Sequence, residues 1–435
     1  MIKKIVIQFC INLRSDTTIY GYLEMRFIIL IIFLWGSVLF AQSKMTIQDA
    51  LNYAVENSPE LKQLDEQINI TSALRLNSFG LHPLKLSFMQ EGMPNLPDNE
   101  FLERRQSLNQ NIDFPLTSFY RYKSNSAGYD AALLQYEQAK RNLKAQVKQA
   151  YVNVIHTRKM IDLSKQKLAI AKELNETAQN RLIAGEASEM EVMRTEISFA
   201  EAENDMVNAE LDFDNARYAL FEIIGLDTEK QRYDIVFPDS LTFLDFSIDQ
   251  HKILAELEQQ PGLMSREKNY VSKIYAVNQA WSSTLPDFEL SIYRQDFGTG
   301  YNFYGFEAGI SIPLWFAFNQ LPAIQKARAE NRIAQFELAK TKLAFKREIE
   351  VAWHGFSTSR QTLLRFKNLI SERSDKLLKL TLQGYRLGEI GLLTLLDTQR
   401  TFIISRENYY NALRNYYIRL IDLEKHIGQE IVFTD

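Results

Sequence analysis

Cysteine is nearly absent: the 435 residues hold one, Cys10. A lone thiol cannot close an internal disulfide, and a zinc site built on two or more thiolates is excluded. Turn formers are scarce as well. With 10 prolines and 17 glycines, a sandwich of many short strands is not expected. Neither sign of charge dominates, since 50 Lys and Arg face 54 Asp and Glu. That balance argues against a nucleic-acid partner held through phosphate neutralisation. The five histidines, His82, His156, His251, His354 and His426, share no ligand spacing. No GxSxG, HExxH or P-loop pattern occurs either, so neither a metal or cofactor site nor an enzymatic centre is expected. Gly298-Thr-Gly300 lies between two strand-like stretches with no helix after it. A phosphate cradle needs a helix N-terminus, so this reads as a hairpin turn.

Long apolar runs are missing except one. Phe27 to Phe40 reads FIILIIFLWGSVLF, with Met25-Arg26 before it and Ala41-Gln42 after it. Fourteen residues are short for a spanning helix, which needs about 20. A basic residue before and Ala41 at the cut give a secretory signal over 25–41, with Leu39 at the −3 position. Residues 1–24 precede a complete signal that has its own methionine, so they read as a mis-assigned start. No cysteine follows the run, which excludes a lipoprotein anchor. Beyond it no stretch can cross a bilayer as a helix, so membrane insertion would be as a β-barrel or a surface association.

What is present is a duplication of about 200 residues. Pro59 and Pro261 are 202 apart, Pro83 and Pro286 are 203 apart, and Pro115 and Pro313 are 198 apart. Gly185-Glu186 matches Gly388-Glu389, and Ile224-Gly225 matches Ile427-Gly428, both at 203. The chain therefore divides into a first repeat over 42–225, a connecting segment over 226–250 and a second repeat over 251–435.

Each repeat reads as helix, strand pair, very long helix, sharp turn and return helix. The first helix, 46–80, carries Ala50, Leu51, Ala54, Leu61, Leu64 and Ile68. Period-2 alternation follows in Leu84, Leu86, Phe88 and then Leu108, Ile112, Phe114, joined by a polar loop over 91–105. In the second repeat Tyr304, Phe306, Ala308, Ile310 and Ile312 alternate with Gly305, Glu307, Gly309 and Ser311. From 119 to 182 there is no proline, and Val147, Val154, Ile161 and Leu168 recur every seven residues. Ile349, Phe356, Leu363, Ile370 and Leu377 repeat that register. Sustained heptads mean helix on helix, and 64 residues at about 1.5 Å each make a rod of roughly 95 Å. A return helix and a first helix together nearly equal one rod, so the two short helices can stack end to end beside it. Four strands cannot close a barrel and would leave open edges. Three chains supply twelve, within the range of outer-membrane barrels. Tyr304, Phe306, Ile310 and Ile312 would then face lipid.

Ile112-Asp-Phe-Pro-Leu, Ile310-Ser-Ile-Pro-Leu-Trp, the turn sequences from Gly185 and Gly388, and the duplication together resemble the outer-membrane efflux protein family of TolC-like channel-tunnels. The resemblance covers about residues 45–430. Pro313 to Gln320 is more similar to the cation-efflux and multidrug branch. The resemblance implies a mainly α fold in which duplicated helical hairpins form an α-barrel, and a homotrimer whose strands form a twelve-stranded β-barrel in the outer membrane. It implies passive conduction, fed by a periplasmic adaptor and an inner-membrane pump. The helix-tip turns at Gly185, Glu186, Gly388 and Glu389 would dock the adaptor. The periplasmic gate would fall at Thr394 and Asp397, with Glu389 beside it; only one of the two gate positions keeps an aspartate. Run 186–196, rich in carboxylates, is either a solvated helix face or part of a pore mouth. A coiled-coil scaffold that never inserts is the competing reading, and a type I secretion duct is a second one. The strand pairs disfavour the scaffold.

Overall fold

The computed structural model describes residues 44–92, 101–226, 234–235, 237–238, 241–246, 248, 253, 256–297, 302–369, 371–428 and 430–433. The signal segment, the start at Met25, the loop tip at Gly298–Gly300, His251 and seam position Ile370 lie outside them.

Among the described residues a two-residue strand β1 (Lys44–Met45) comes first and leads into α1 (Ile47–Asn57) and α2 (Pro59–Leu76). Thr46 caps α1 reciprocally: its hydroxyl accepts from the Asp49 amide at 3.2 Å, and its own amide donates to the Asp49 carboxylate at 2.9 Å. That capping box satisfies two orphan donors. Ser58 and Pro59 start α2, proline being tolerated at the first helical position. The helix ends at Leu76, before a 3₁₀ turn at Asn77–Phe79 and Gly80 at φ +70°, and so is shorter than the pattern to residue 80 suggests. Strands β2 (Lys85–Glu91) and β3 (Glu103–Ile112) follow, then α3 (Pro115–Ile183), 69 residues long, and its return helix α4 (Glu189–Ile224).

The second repeat has the same sequence of elements. After β4 (Asp234–Ile235), parallel to β1, come α5 (Pro261–Ser282), β5 (Asp287–Asp296) and β6 (Asn302–Ser311). Its long helix is described as α6 (Gln320–Leu369) and α7 (Ser371–Arg386), and α8 (Leu392–Ile427) returns. Both return helices are 36 residues long. Both end in a left-handed glycine, Gly225 at φ +78° and Gly428 at φ +73°. The end of each return helix meets the start of the next short helix in its column. Gly225 lies beside Asn57, and the His426 carbonyl accepts from the Gln260 side chain. The short helices stack end to end, as their summed length requires.

Packing orders the helices into four columns. α3 has α2 and α4 on one side and α5 and α8 on the other, and α6 and α7 lie beyond α5 and α8. α3 feeds both cores. Val147, Val154 and Ile155 join Leu51, Leu61, Leu220 and Ile224, whereas Ala145 and Val152 join Phe356, Leu363, Tyr416 and Leu420. Ile349, Phe356 and Leu363 are buried as the heptad predicts, but Leu377 is 48% exposed. The side chains buried in α7, among the described residues, are Ser374, Leu378, Thr381 and Tyr385. A straight α-helix drifts by about 20° per heptad, and the step of eleven residues from Leu363 to Ser374 resets the seam.

The four strands form one antiparallel sheet in the order β2-β3-β5-β6. The two hairpins join through β3 and β5, with Leu108 opposite Ile292. The first hairpin is longer than the sequence suggests. Glu103 to Arg105, read as loop, belong to β3 and pair with Met89 to Glu91, because the Arg105 side chain is anchored across the sheet.

Candidate functional site

The sheet has two chemically distinct faces, set by the two-residue period of strands. Even-numbered side chains make rows across the sheet: Leu86, Leu108, Ile292 and Phe306 across all four strands, and Ile112, Phe288 and Ile310 across β3, β5 and β6. This face is uncovered; Tyr304 is 80% exposed, and Phe306, Ile310 and Ile312 are each about 60% or more. In water such a patch is costly, at roughly 25 cal/mol for each Å². The odd-numbered face is polar. The Ser87 and Ser107 hydroxyls pair at 2.7 Å, and Asn109 donates to Ser87 at 3.0 Å. Arg105 donates to the Glu307 carboxylate at 2.7 Å and stands 3.9 Å over the Tyr293 ring. Gly305 makes room for that ring, since a Cβ there would come within 2.2 Å of Tyr293. Hydrogen-bonded polar side chains on one face and exposed apolar rows on the other suit water on the first and hydrocarbon on the second.

At the opposite end of the rods the two repeats close with the same turn. Gly185 has φ +78° and Gly388 φ +75°, and a Cβ on either would meet open space. Backbone conformation, not crowding, therefore demands glycine at both. The Glu186 amide reaches back to the Arg181 carbonyl and the Glu389 amide to the Gly384 carbonyl, each at 2.8 Å. Ser188 caps α4 through the Glu191 amide, while Gly391 begins α8 without a side-chain cap. The tips touch. Arg181 lies 4.9 Å from the centre of the Tyr385 ring, Arg386 pairs with Glu173, and Leu174 packs with Tyr385, Leu392 and Leu395.

Thr394 and Asp397 fall on one face of α8 within its first two turns, both exposed, and Glu389 is exposed in the turn before. Among the described residues no ion pair joins Asp397 to Arg400, three residues on. The tip contacts of Arg181 and Tyr385 were not read from the sequence. Nor was Arg105–Glu307, although opposite charges on the polar faces of two strands were a visible signal. Among the described residues no cluster of His, Cys, Asp or Glu is placed to hold a metal ion, and no helix is long and apolar enough to cross a membrane.

Rods of about 100 Å that carry a small sheet at one end, polar on one face and exposed and apolar on the other, fit a channel-forming class of elongated helical proteins. The profile of the outer membrane efflux protein family matches residues 104–226 and 254–429. The chain belongs to that family, and is a channel rather than an enzyme. It is 21% identical over 395 residues to the cobalt-zinc-cadmium resistance protein CzcC of Cupriavidus metallidurans, covering 89% of this chain and 91% of that one. Its fold is similar to that of the CmeC outer membrane channel of Campylobacter jejuni, at TM-score 0.76 and 17% identity, covering 88% and 85% of the two chains. The open state of the MtrE outer membrane channel of Neisseria gonorrhoeae gives TM-score 0.70 at 17% identity, covering 88% of each.

Proposed function

We propose that three copies of the chain close into a ring whose twelve strands form a barrel in the outer membrane and whose twelve helical columns form a duct through the periplasm. The observation that carries this reading is the shared order of columns and strands. Columns α2/α4, α3, α5/α8 and α6/α7 follow the same sequence as β2, β3, β5 and β6. Each chain is thus a strip with two different open margins, which only a head-to-tail neighbour can cover. The strands alternate in direction along the strip. β6 of one copy can therefore continue antiparallel into β2 of the next.

In this ring Tyr304, Phe306, Ile310 and Ile312 meet lipid. The turns at Gly185, Glu186, Gly388 and Glu389 form the periplasmic end, where a periplasmic adaptor docks and hands over cargo from an inner-membrane pump. Asp397, with Thr394 and Glu389, lines the narrowest part, and three carboxylates around one axis attract cations. The CzcC relative is a cobalt-zinc-cadmium resistance protein, which favours divalent cations as cargo. Segment 25–41 directs export and is removed near Ala41, leaving an unlipidated chain of two repeats, 42–225 and 251–435, with 226–250 packed around the duct's middle. Phe237 against Tyr151, Phe243 against Tyr416 and the Asp245–Arg360 pair support that last placement.

The test is mass measurement of outer-membrane protein in mild detergent, followed by conductance in planar bilayers. A trimer that conducts, and that a trivalent cation on the periplasmic side blocks, is expected. A monomer overturns the ring. Unchanged block in Asp397→Ala overturns the gate alone.

A further inference from the structure

The outer column helix α4 has two heptad seams, and the chain fills only one. Thr195, Ala202, Ala209 and Leu220 are buried against α3. On the opposite side Met190, Ile197, Leu211 and Tyr218 fall on a seven-residue register that Asn204 interrupts once, joined by Met193 and Val207. All six are more than half exposed. One position ahead of that stripe four successive heptads carry a glutamate, Glu189, Glu196, Glu203 and Glu210, each exposed, and Arg217 takes the fifth position. Among the described residues no ion pair or hydrogen bond engages their carboxylates. An apolar seam flanked by a row of four carboxylates is the pattern by which coiled coils select a partner.

The opposite margin of the strip carries the complement. α4 has ten acidic and two basic residues, whereas α6 and α7 together have fourteen basic and six acidic. On the outward side of α6 and α7 stand Arg347, Arg365, Lys376 and Lys379, exposed and likewise without an ion pair among the described residues. Val351, Leu380 and Leu387 lie exposed among them. The levels agree too. α4 is 36 residues long and starts at the tip, and the 36 residues before the tip on the other margin are 351–386.

We propose that the second seam of α4 is a docking surface for another copy of this chain, its glutamate row seated on the basic outer face of α6 and α7. This rests on the ring described above and adds what selects the neighbour and the register. Like margins repel, so a copy meets its neighbour only head to tail, and complementary charge speeds that encounter. Assembly is therefore sensitive to salt. Screening shortens from about 10 Å at 0.1 M to about 3 Å at 1 M.

The experiment compares full-length outer-membrane protein in mild detergent by native mass spectrometry, following the trimer's dissociation rate at ~0.1 M and ~1 M salt. One variant combines Glu196→Lys, Glu203→Lys and Glu210→Lys, a second combines Arg365→Glu, Lys376→Glu and Lys379→Glu, and a third carries all six. All six positions are exposed, so helicity by circular dichroism stays at the wild-type level. Each triple variant should dissociate about tenfold faster at low salt, as three exposed pairs together would give. High salt should narrow the gap, and the six-fold variant should recover. If either triple variant holds together as well as wild type, or the six-fold variant recovers nothing, the two faces do not meet and the glutamate row serves another partner. A wild type that is itself monomeric overturns the ring instead.

Discussion

Replacing Lys148 by Met removes the one ammonium group that, among the described residues, is buried between the two repeats. Lys148 is 1% exposed on α3, where its Nζ pairs with Glu424 of α8 and donates to the Val432 carbonyl at 2.7 Å. The other Glu424 oxygen accepts from the Ile431 and Val432 amides at 3.0 and 2.8 Å. The pair thus pins the middle column to its neighbour and ties down the chain's last turn, where Phe433 stacks on Tyr417. Removing one partner of a buried pair costs about 3–5 kcal/mol. The two amides still solvate the Glu424 carboxylate in Lys148→Met, so the loss should sit near 3 kcal/mol. Glu424→Leu should cost more, near 5, because it strands a buried ammonium and two amides at about 1–3 kcal/mol for each unmade bond. The double variant leaves no buried charge and should lose clearly less than the sum. Urea unfolding of the detergent-solubilised protein at fixed concentration, followed by circular dichroism, measures all three. Additive losses, or single losses under about 1 kcal/mol, would refute the claim that this pair couples the repeats.

Phe306→Arg should impair membrane insertion by about 2–4 kcal/mol if the residue lies at the bilayer midplane. Glu307→Arg should be tolerated, and equal defects in outer-membrane fractionation would mean the faces are assigned backwards. Acid should destabilise the helical columns. Burial holds His156 and His426 neutral, lowering each from 6.5 to about 4. A depressed histidine contributes stability that is whole above 6.5 and is lost as pH falls toward 4, at about 3 kcal/mol each. A urea midpoint unchanged between pH 7 and 4.5 would count against this burial. Gly185→Ala and Gly388→Ala place a Cβ at φ near +75° with no clash, so each should cost about 1 kcal/mol through backbone strain alone. A loss of several kcal/mol on the same unfolding curve would mean the turn is crowded in the assembly.

The elements themselves were legible because their signals are local. Heptads, two-residue alternation, paired glycines and offsets near 203 residues report on neighbours in the chain, and they placed the rods, strands and turns. They also placed the apolar strand face, since alternation fixes which side chains share a side whatever the sheet packs against. Tertiary structure alone decided what depends on distant residues. Strand β3 pairs with β5, with Asn109 and Ser291 182 residues apart along the chain but directly opposite in register. Lys148 finds Glu424 across 276 residues, and nothing in either's local sequence distinguishes it from a solvated helix charge. The exposed Leu377 shows the same division. A seven-residue pattern states that a helix packs, but the accumulated twist of a long rod against its partners determines which side chains still face inward when the tip is reached.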